Sequence, residues 1–145
     1  MTLSLQQISD RLEINDLLVR YTRAIDQKDW ELLDTVFTPD AEVDYVASGG
    51  IKERYPEVRA WLAKVLALFP VTVHYVTNSE VTLEGDRAAA RTAVYNPMFL
   101  GNADGSFHHF AVGAYYVDEL VRTEAGWRIA RRREEQAFIE GSLPK

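Results

Sequence analysis

The chain has 145 residues, of which 47% are hydrophobic and 26% charged, with a net charge of −6. That length and composition exclude a disordered chain and predict one folded domain over residues 1–145. The acidic balance argues against a nucleic-acid partner, which needs a basic stripe, and the absence of cysteine excludes disulfides and thiolate chemistry.

No apolar run approaches the roughly 20 residues that span a bilayer, so no membrane partner is expected. The first residues lack the basic and apolar stretches of a signal peptide, and the expected location is cytoplasmic.

The first predicted element is an amphipathic helix over 5–25. Its apolar positions Leu5, Ile8, Leu12, Leu18, Tyr21 and Ile25 recur mostly at spacings of three and four, with Ile14, Leu17 and Val19 widening the stripe. A short second helix is expected from an Asp29 cap, burying Trp30, Leu33 and Phe37 and ending at Thr38-Pro39-Asp40. Residues 41–47 read as a short strand carrying Tyr45, and Ser48-Gly49-Gly50 as a loop. Pro56 suits the first turn of a third helix, whose apolar face is Val58, Trp61, Leu62, Val65, Leu66 and Phe69, closed by Pro70.

Beyond Pro70 the apolar period changes to two. Strands are predicted over 72–83, 87–100, 107–123 and 127–139, separated by Glu84-Gly85-Asp86, a Gly101 to Gly105 turn and Glu124-Ala125-Gly126. Short turns between long strands give an antiparallel meander. The layout is α+β: three helices on one face of a strongly curved, mostly antiparallel sheet, with a pocket between them. In Arg131-Arg132-Arg133, strand alternation splits the charges between two faces, and the expectation is surface ion pairing with Glu134 and Glu135.

Two residues carry the chemical expectation. His74 lies in a run without charge from Val71 to Ser79, and Asp26 sits near the end of the first helix. A carboxylate there is electrostatically unfavourable by a few tenths of a kcal/mol, roughly, which calls for a compensating partner. His74 is one candidate; Arg23 and Lys28 are plainer ones. Brought together, histidine and aspartate make a base and the group that orients it.

Tyr21 and Tyr45 are candidate hydrogen-bond donors to a substrate oxygen, or else core aromatics with a hydroxyl at the rim. Of His108 and His109, alternation sends one toward each face; His108 is placed with Tyr116 among the substrate contacts. No carboxylate stands at ligand spacing to the three histidines, so no metal is expected. No glycine-rich phosphate loop follows a strand, so no nucleotide cofactor is expected.

From about Leu5 to Phe138 the chain resembles the SnoaL-like group of the nuclear-transport-factor-2-like (NTF2-like) superfamily. The resemblance rests on Tyr21-Thr22-Arg23-Ala24-Ile25-Asp26-Gln27-Lys28-Asp29-Trp30, Phe37-Thr38-Pro39-Asp40-Ala41 and Val73-His74-Tyr75-Val76-Thr77-Asn78. It continues through Asp118-Glu119-Leu120-Val121-Arg122-Thr123 and Gly126-Trp127-Arg128-Ile129-Ala130. It implies a cone-shaped fold around a small-molecule pocket and a homo-oligomer, either dimer or trimer.

Within the group the pattern is similar to scytalone dehydratase, bile-acid 7α-dehydratase and hexachlorocyclohexane dehydrochlorinase, in which a His–Asp dyad abstracts a proton during elimination. The resemblance puts Asp26 and His74 in that dyad, and Tyr21 and Tyr45 at active-site tyrosines. It also has departures. Ile25 replaces a pocket tyrosine, and no histidine falls in residues 95–99. A late serine and asparagine become Ala114 and Tyr116, and a catalytic arginine falls near Glu135.

The function implied is a cofactor-independent, dehydratase-like lyase acting on a small apolar cyclic, polyketide- or steroid-like substrate. An isomerase or polyketide-type cyclase would begin with the same proton abstraction. A binding or subunit-like module, which the superfamily also supplies, would need no dyad contact.

Overall fold

The computed structural model describes residues 2–142. Helix α1 (Leu5–Gln27) opens on a capping box: Ser4 Oγ accepts from the Gln7 N–H, and the Gln7 side chain accepts from the Ser4 N–H. It stops where Lys28 adopts a left-handed φ of 55°, its N–H closing on the Ala24 and Ile25 carbonyls. Asp26 is thereby held at the last turn, facing inward.

The buried stripe of α1 differs from the expected one. Asp10, Ile14, Leu17, Leu18, Tyr21 and Ile25 are buried, while Leu5, Ile8, Leu12 and Val19 are exposed. Positions two apart lie about 200° apart around a helix, so choosing the Asp10 face turns the Leu12 face outward. Asp10 is accommodated because Arg122 bonds both its oxygens, at 2.6 and 2.9 Å, and Trp127 Nε1 donates to it at 3.2 Å.

Helix α2 (Trp30–Leu33) is capped by Asp29, whose Oδ1 accepts from the Leu32 N–H at 2.9 Å. It ends before Phe37, which opens strand β1 (Phe37–Asp44) instead of closing the helix. Phe37 is buried there, its ring stacked on Tyr55 at 4.9 Å. Pro39 therefore sits inside a strand. It falls between Phe37 and Glu42, where the pairing of β1 with the last strand shifts register, so its missing N–H interrupts no regular ladder.

Next come a short 3₁₀ turn (Val46–Ser48), an unforeseen edge strand β2 (Lys52–Arg54) and α3 (Tyr55–Leu66), with Pro56 in its first turn. The remaining strands are β3 (Val71–Thr72), β4 (Tyr75–Glu84), β5 (Arg87–Gly101), β6 (Phe107–Thr123) and β7 (Gly126–Gly141). Sheet order is β2-β1-β7-β6-β5-β3, with β4 also on β5; the β1–β7 pair is parallel and the others antiparallel. The sheet curls around α1 and α3 as an α+β cone. No described helix is long and apolar enough to cross a membrane.

Two irregularities in the sheet decide what faces inward. The strand expected over 72–83 is broken at Val73 and His74, opposite Asn96 and Pro97 of β5. The Val73 N–H still donates to the Pro97 carbonyl at 3.1 Å, but Pro97 has no N–H to return, so the pair is incomplete. The next N–H along, that of His74, points away from β5 and takes another acceptor.

On β7, Ile129 pairs with Leu120 but Arg131 pairs with Glu119, which leaves Ala130 as an extra residue. This bulge moves the inward face of the strand by one position. It sends Arg132 inward and corrects the expectation of surface pairing for the arginine run. Arg132 and Asp118 have side chains at 0% exposure, joined by two bonds of 2.8 Å. Arg131 and Arg133 do lie at the surface, paired with Glu42 and Glu135.

Candidate active site

The curl of the sheet leaves a cavity of about 670 Å³. Its walls are mostly apolar, with Ile25, Trp61, Leu66, Phe69, Met98 and Phe110 among them, and its polar groups are few. This is the ordinary size and character of a small-molecule site.

Asp26 and His74 meet at this cavity. Asp26 Oδ1 lies 2.6 Å from His74 Nδ1, and its Oδ2 accepts from the His74 backbone N–H at 2.9 Å. The second bond uses a backbone donor that points away from β5 where the strand is broken between β3 and β4. Both carboxylate oxygens are thus spent on one residue, which fixes the position and the plane of the imidazole. The His74 side chain is only 7% exposed.

A carboxylate only accepts, so Nδ1 carries the ring proton and Nε2 presents its lone pair. That nitrogen has a partner as well. Asn96 Nδ2 lies 2.5 Å from Nε2, and Asn96 Oδ1 accepts from the Thr72 hydroxyl at 3.0 Å. The Thr72 bond turns the amide nitrogen toward the imidazole. The chain Thr72–Asn96–His74–Asp26 is therefore polarised in one direction.

Asn96 lies in residues 95–99, where the resemblance implies a second histidine that this chain lacks. Its signal in the sequence is its place beside Pro97, and only the β4–β5 register puts it against His74.

Three phenols form the other polar wall. Tyr21 Oη lies 2.8 Å from Tyr45 Oη and 3.5 Å from Tyr116 Oη, and the Tyr21 ring meets the His74 ring edge-on at 6.2 Å. Arg132 lies behind them, its guanidinium 3.9 Å from the Tyr116 ring centre and 4.2 Å from that of Tyr21. Burial pushes all three hydroxyls well above their ordinary range, and the Arg132 charge opposes this only in part. They remain neutral donors. Burial works against the Arg132 charge, but the Asp118 carboxylate outweighs it and holds the guanidinium protonated.

Tyr21, Tyr45, Tyr116, Asp26 and His74 are thus brought together, with Asp26 just behind the cavity wall. His108 is not. It shares a strand face with Phe110 but sits two residues farther out, past the cavity, and its Nε2 turns onto the Ser142 carbonyl. His109 faces the other way, stacked on Phe99 at 4.6 Å. The alternation was right about the faces, and the strand simply runs past the cavity before it reaches His108.

Glu134 was missed. The bulge at Ala130 turns it into the cavity beside its cross-strand partner Tyr116, and the Ser48 hydroxyl donates to its Oε1. Glu135, at the position implied for a catalytic arginine, points outward to Arg133. Among the described residues, no three histidine, cysteine, aspartate or glutamate side chains are grouped to hold a metal ion.

Comparison with known proteins places this geometry in a family. An uncharacterized protein of Mycobacterium tuberculosis is 49% identical over 137 residues, covering 94% of this chain and 91% of its own. Among solved structures, a candidate aromatic ring hydroxylase from Novosphingobium aromaticivorans is 32% identical, with a TM-score of 0.79 over 94% of this chain and 95% of its own. A hexachlorocyclohexane dehydrochlorinase of type 2 superposes with a TM-score of 0.82 over 97% of this chain and 94% of its own, at 20% identity, a likeness of fold alone. The profile of the SnoaL-like domain matches residues 6–133. With that match and this cone-shaped fold, the chain belongs to the SnoaL-like family of NTF2-like proteins.

Proposed function

We propose that the protein is a cofactor-independent lyase of the dehydratase type, with His74 as the base and Asp26 as its orienting partner. The observation that carries this reading is the two-point grip of Asp26 on His74, which aims Nε2 along the wall of an apolar cavity. Such a pair removes a proton from carbon next to a carbonyl, the step that opens an elimination. Tyr21, Tyr45 and Tyr116, all neutral donors, stand where they can hydrogen-bond the oxygen on which charge develops. The apolar walls and the volume suit a small cyclic, polyketide- or steroid-like substrate.

Asn96 must yield for the reaction to begin, because Nε2 has a single lone pair. A half-turn of the amide accommodates the product state. Its Oδ1 then accepts from the newly formed Nε2–H, and the Thr72 hydroxyl changes from donor to acceptor. This exchange needs no movement of backbone.

An isomerase or cyclase shares the first step, and product mass separates the readings, since elimination loses a molecule and isomerisation loses none. A purely binding module is disfavoured by a direct 2.6 Å contact and by a cavity left open instead of filled by side chains. Tyr75, Phe107 and Phe138, exposed on the outer sheet face, support a homo-oligomer, dimer or trimer; the expected location is cytoplasmic.

The test is His74→Gln against a panel of cyclic β-hydroxyketones, with products weighed by mass spectrometry. Turnover should fall by about a hundred- to ten-thousand-fold while the circular dichroism spectrum is unchanged. Full turnover in that variant would end the proposal.

A further inference from the structure

Glu134 is a titratable group of the cavity that the dyad chemistry leaves idle. It lines the cavity from β7, next to Tyr116 across the strand pair. Its neighbours on the chain are committed elsewhere: Arg132 gives two bonds to Asp118, and Arg133 pairs with Glu135. The bond Glu134 does have comes from the Ser48 hydroxyl. A half-buried carboxylate with no ion pair among the described residues is costly to keep, and an apolar side chain would close this wall at less expense. Burial pushes its carboxyl above the ordinary glutamate range, against the opposing effects of Ser48, Arg132 and His74. The other ionisable groups around it are the phenols of Tyr116, Tyr45 and Tyr21, the Asp118 carboxylate on Arg132, and Asp26 behind His74.

Two proton carriers of different kinds therefore border one cavity. We propose that Glu134 is the second proton-transfer group of the site, giving its carboxyl proton to a departing hydroxyl while His74 takes a proton from carbon. The assignment rests on the lyase reading above and names its leaving group.

The step balances without an oxidant or a further reactant. The C–H bond breaks, its proton goes to Nε2, and its electron pair forms the C=C bond. The C–O bond breaks with its pair on oxygen, which takes the Glu134 proton and departs as water. The His74 proton then returns to the Glu134 carboxylate through solvent. Hydroxide is too basic to leave unassisted, whereas halide or phenolate needs no proton. A carboxylic acid at this position thus suits β-hydroxycarbonyl substrates, and would be superfluous for loss of halide.

Leaving groups provide the test. The wild type, Glu134→Gln and His74→Gln are compared on a β-hydroxycyclohexanone and on the matching β-(para-nitrophenoxy)cyclohexanone. Glu134→Gln should lower water elimination by about 100-fold and leave release of para-nitrophenolate within about twofold. That retained activity also shows the variant to be folded. In parallel, carbon-detected NMR of glutamate-labelled wild type, assigned by the signal missing from Glu134→Gln, should show Glu134 titrating above ordinary glutamates.

Equal effects of Glu134→Gln on the two probes, or a Glu134 midpoint at or below the ordinary range, overturns the assignment. His74→Gln tests the other half separately. It should abolish both eliminations, and if it does not, the lyase reading fails whatever Glu134 does.

Discussion

The packed half of the cone and the cavity half both bury polar groups, but they complete them differently. In the packed half, Asp10 receives two bonds from Arg122, one from Trp127 and one from Gln6, while Asp118 and Arg132 lock each other with two. Those carboxylates hold no bond in reserve for a ligand. In the cavity half, Glu134 has a hydroxyl, His74 Nε2 has a neutral amide, and the phenols share bonds among themselves. Neutral partners can be exchanged for a ligand at small cost, and bidentate ion pairs cannot. Carboxylates locked by charged partners build the scaffold, and polar groups met by neutral ones are available for chemistry.

Breaking the packed half should therefore be expensive. Arg132→Met leaves Asp118 buried without its cation and should cost about 3–5 kcal/mol in urea denaturation. Adding Asp118→Leu to the same chain should restore most of that loss, because the cost lies in the orphaned charge and not in the missing bond. If the double variant is no better than the single, the pair is being held for some other reason.

Asp10→Asn is the next largest, at about 2 kcal/mol, since the hydrogen bonds lost are to a charged group. It also carries a pH signature. Bonds from Arg122 hold the Asp10 carboxyl at about 2 against an ordinary 3.8. Between those values the unfolded chain binds more protons than the folded one. This contribution is complete above about pH 4 and fades as pH falls toward about 2. Asp10→Asn should accordingly flatten acid unfolding in that window, and an unchanged acid limb would refute the assignment.

The smallest effect belongs to the cavity half. Tyr21→Phe removes the central hydroxyl of the phenol group, yet its neighbours border a cavity where a ligand or solvent can replace it. Thermal unfolding should move by no more than about 1 kcal/mol equivalent. A loss as large as that from Asp10→Asn would erase the distinction between the two halves.

Much of this molecule was legible before folding. The period change after Pro70 gave the helix-then-strand order, the Asp29 cap marked the second helix, and Asp26 with His74 formed the suspected pair. What could not be read depends on register. Period two runs inward at Trp127 and Ile129, and continued without interruption it would send Arg131 and Arg133 inside. The bulge at Ala130 puts Arg132, Glu134 and Gln136 there instead, and nothing local in the sequence announces it.

Asn96 was hidden for a related reason, since its role depends on which residue of the β3–β4 segment it faces. Phe37 was misread because its burial suits a helix or a strand equally well. Only pairing with β7, a strand about ninety residues later, decides between them.

The extra residue at Ala130 also bears on how such a pocket could change over evolutionary time. Removing that single codon would leave Ile129 next to Arg131 in an unbroken strand, with Arg132, Glu134 and Gln136 still facing the interior. An uninterrupted strand of the present length would instead turn Arg131, Arg133 and Glu135 inward. The bulge thus takes up one residue without exchanging the row of polar side chains opposite the dyad. A lineage could gain or lose a residue at this point while the dyad on α1 and the β3–β4 segment kept the same wall in front of it.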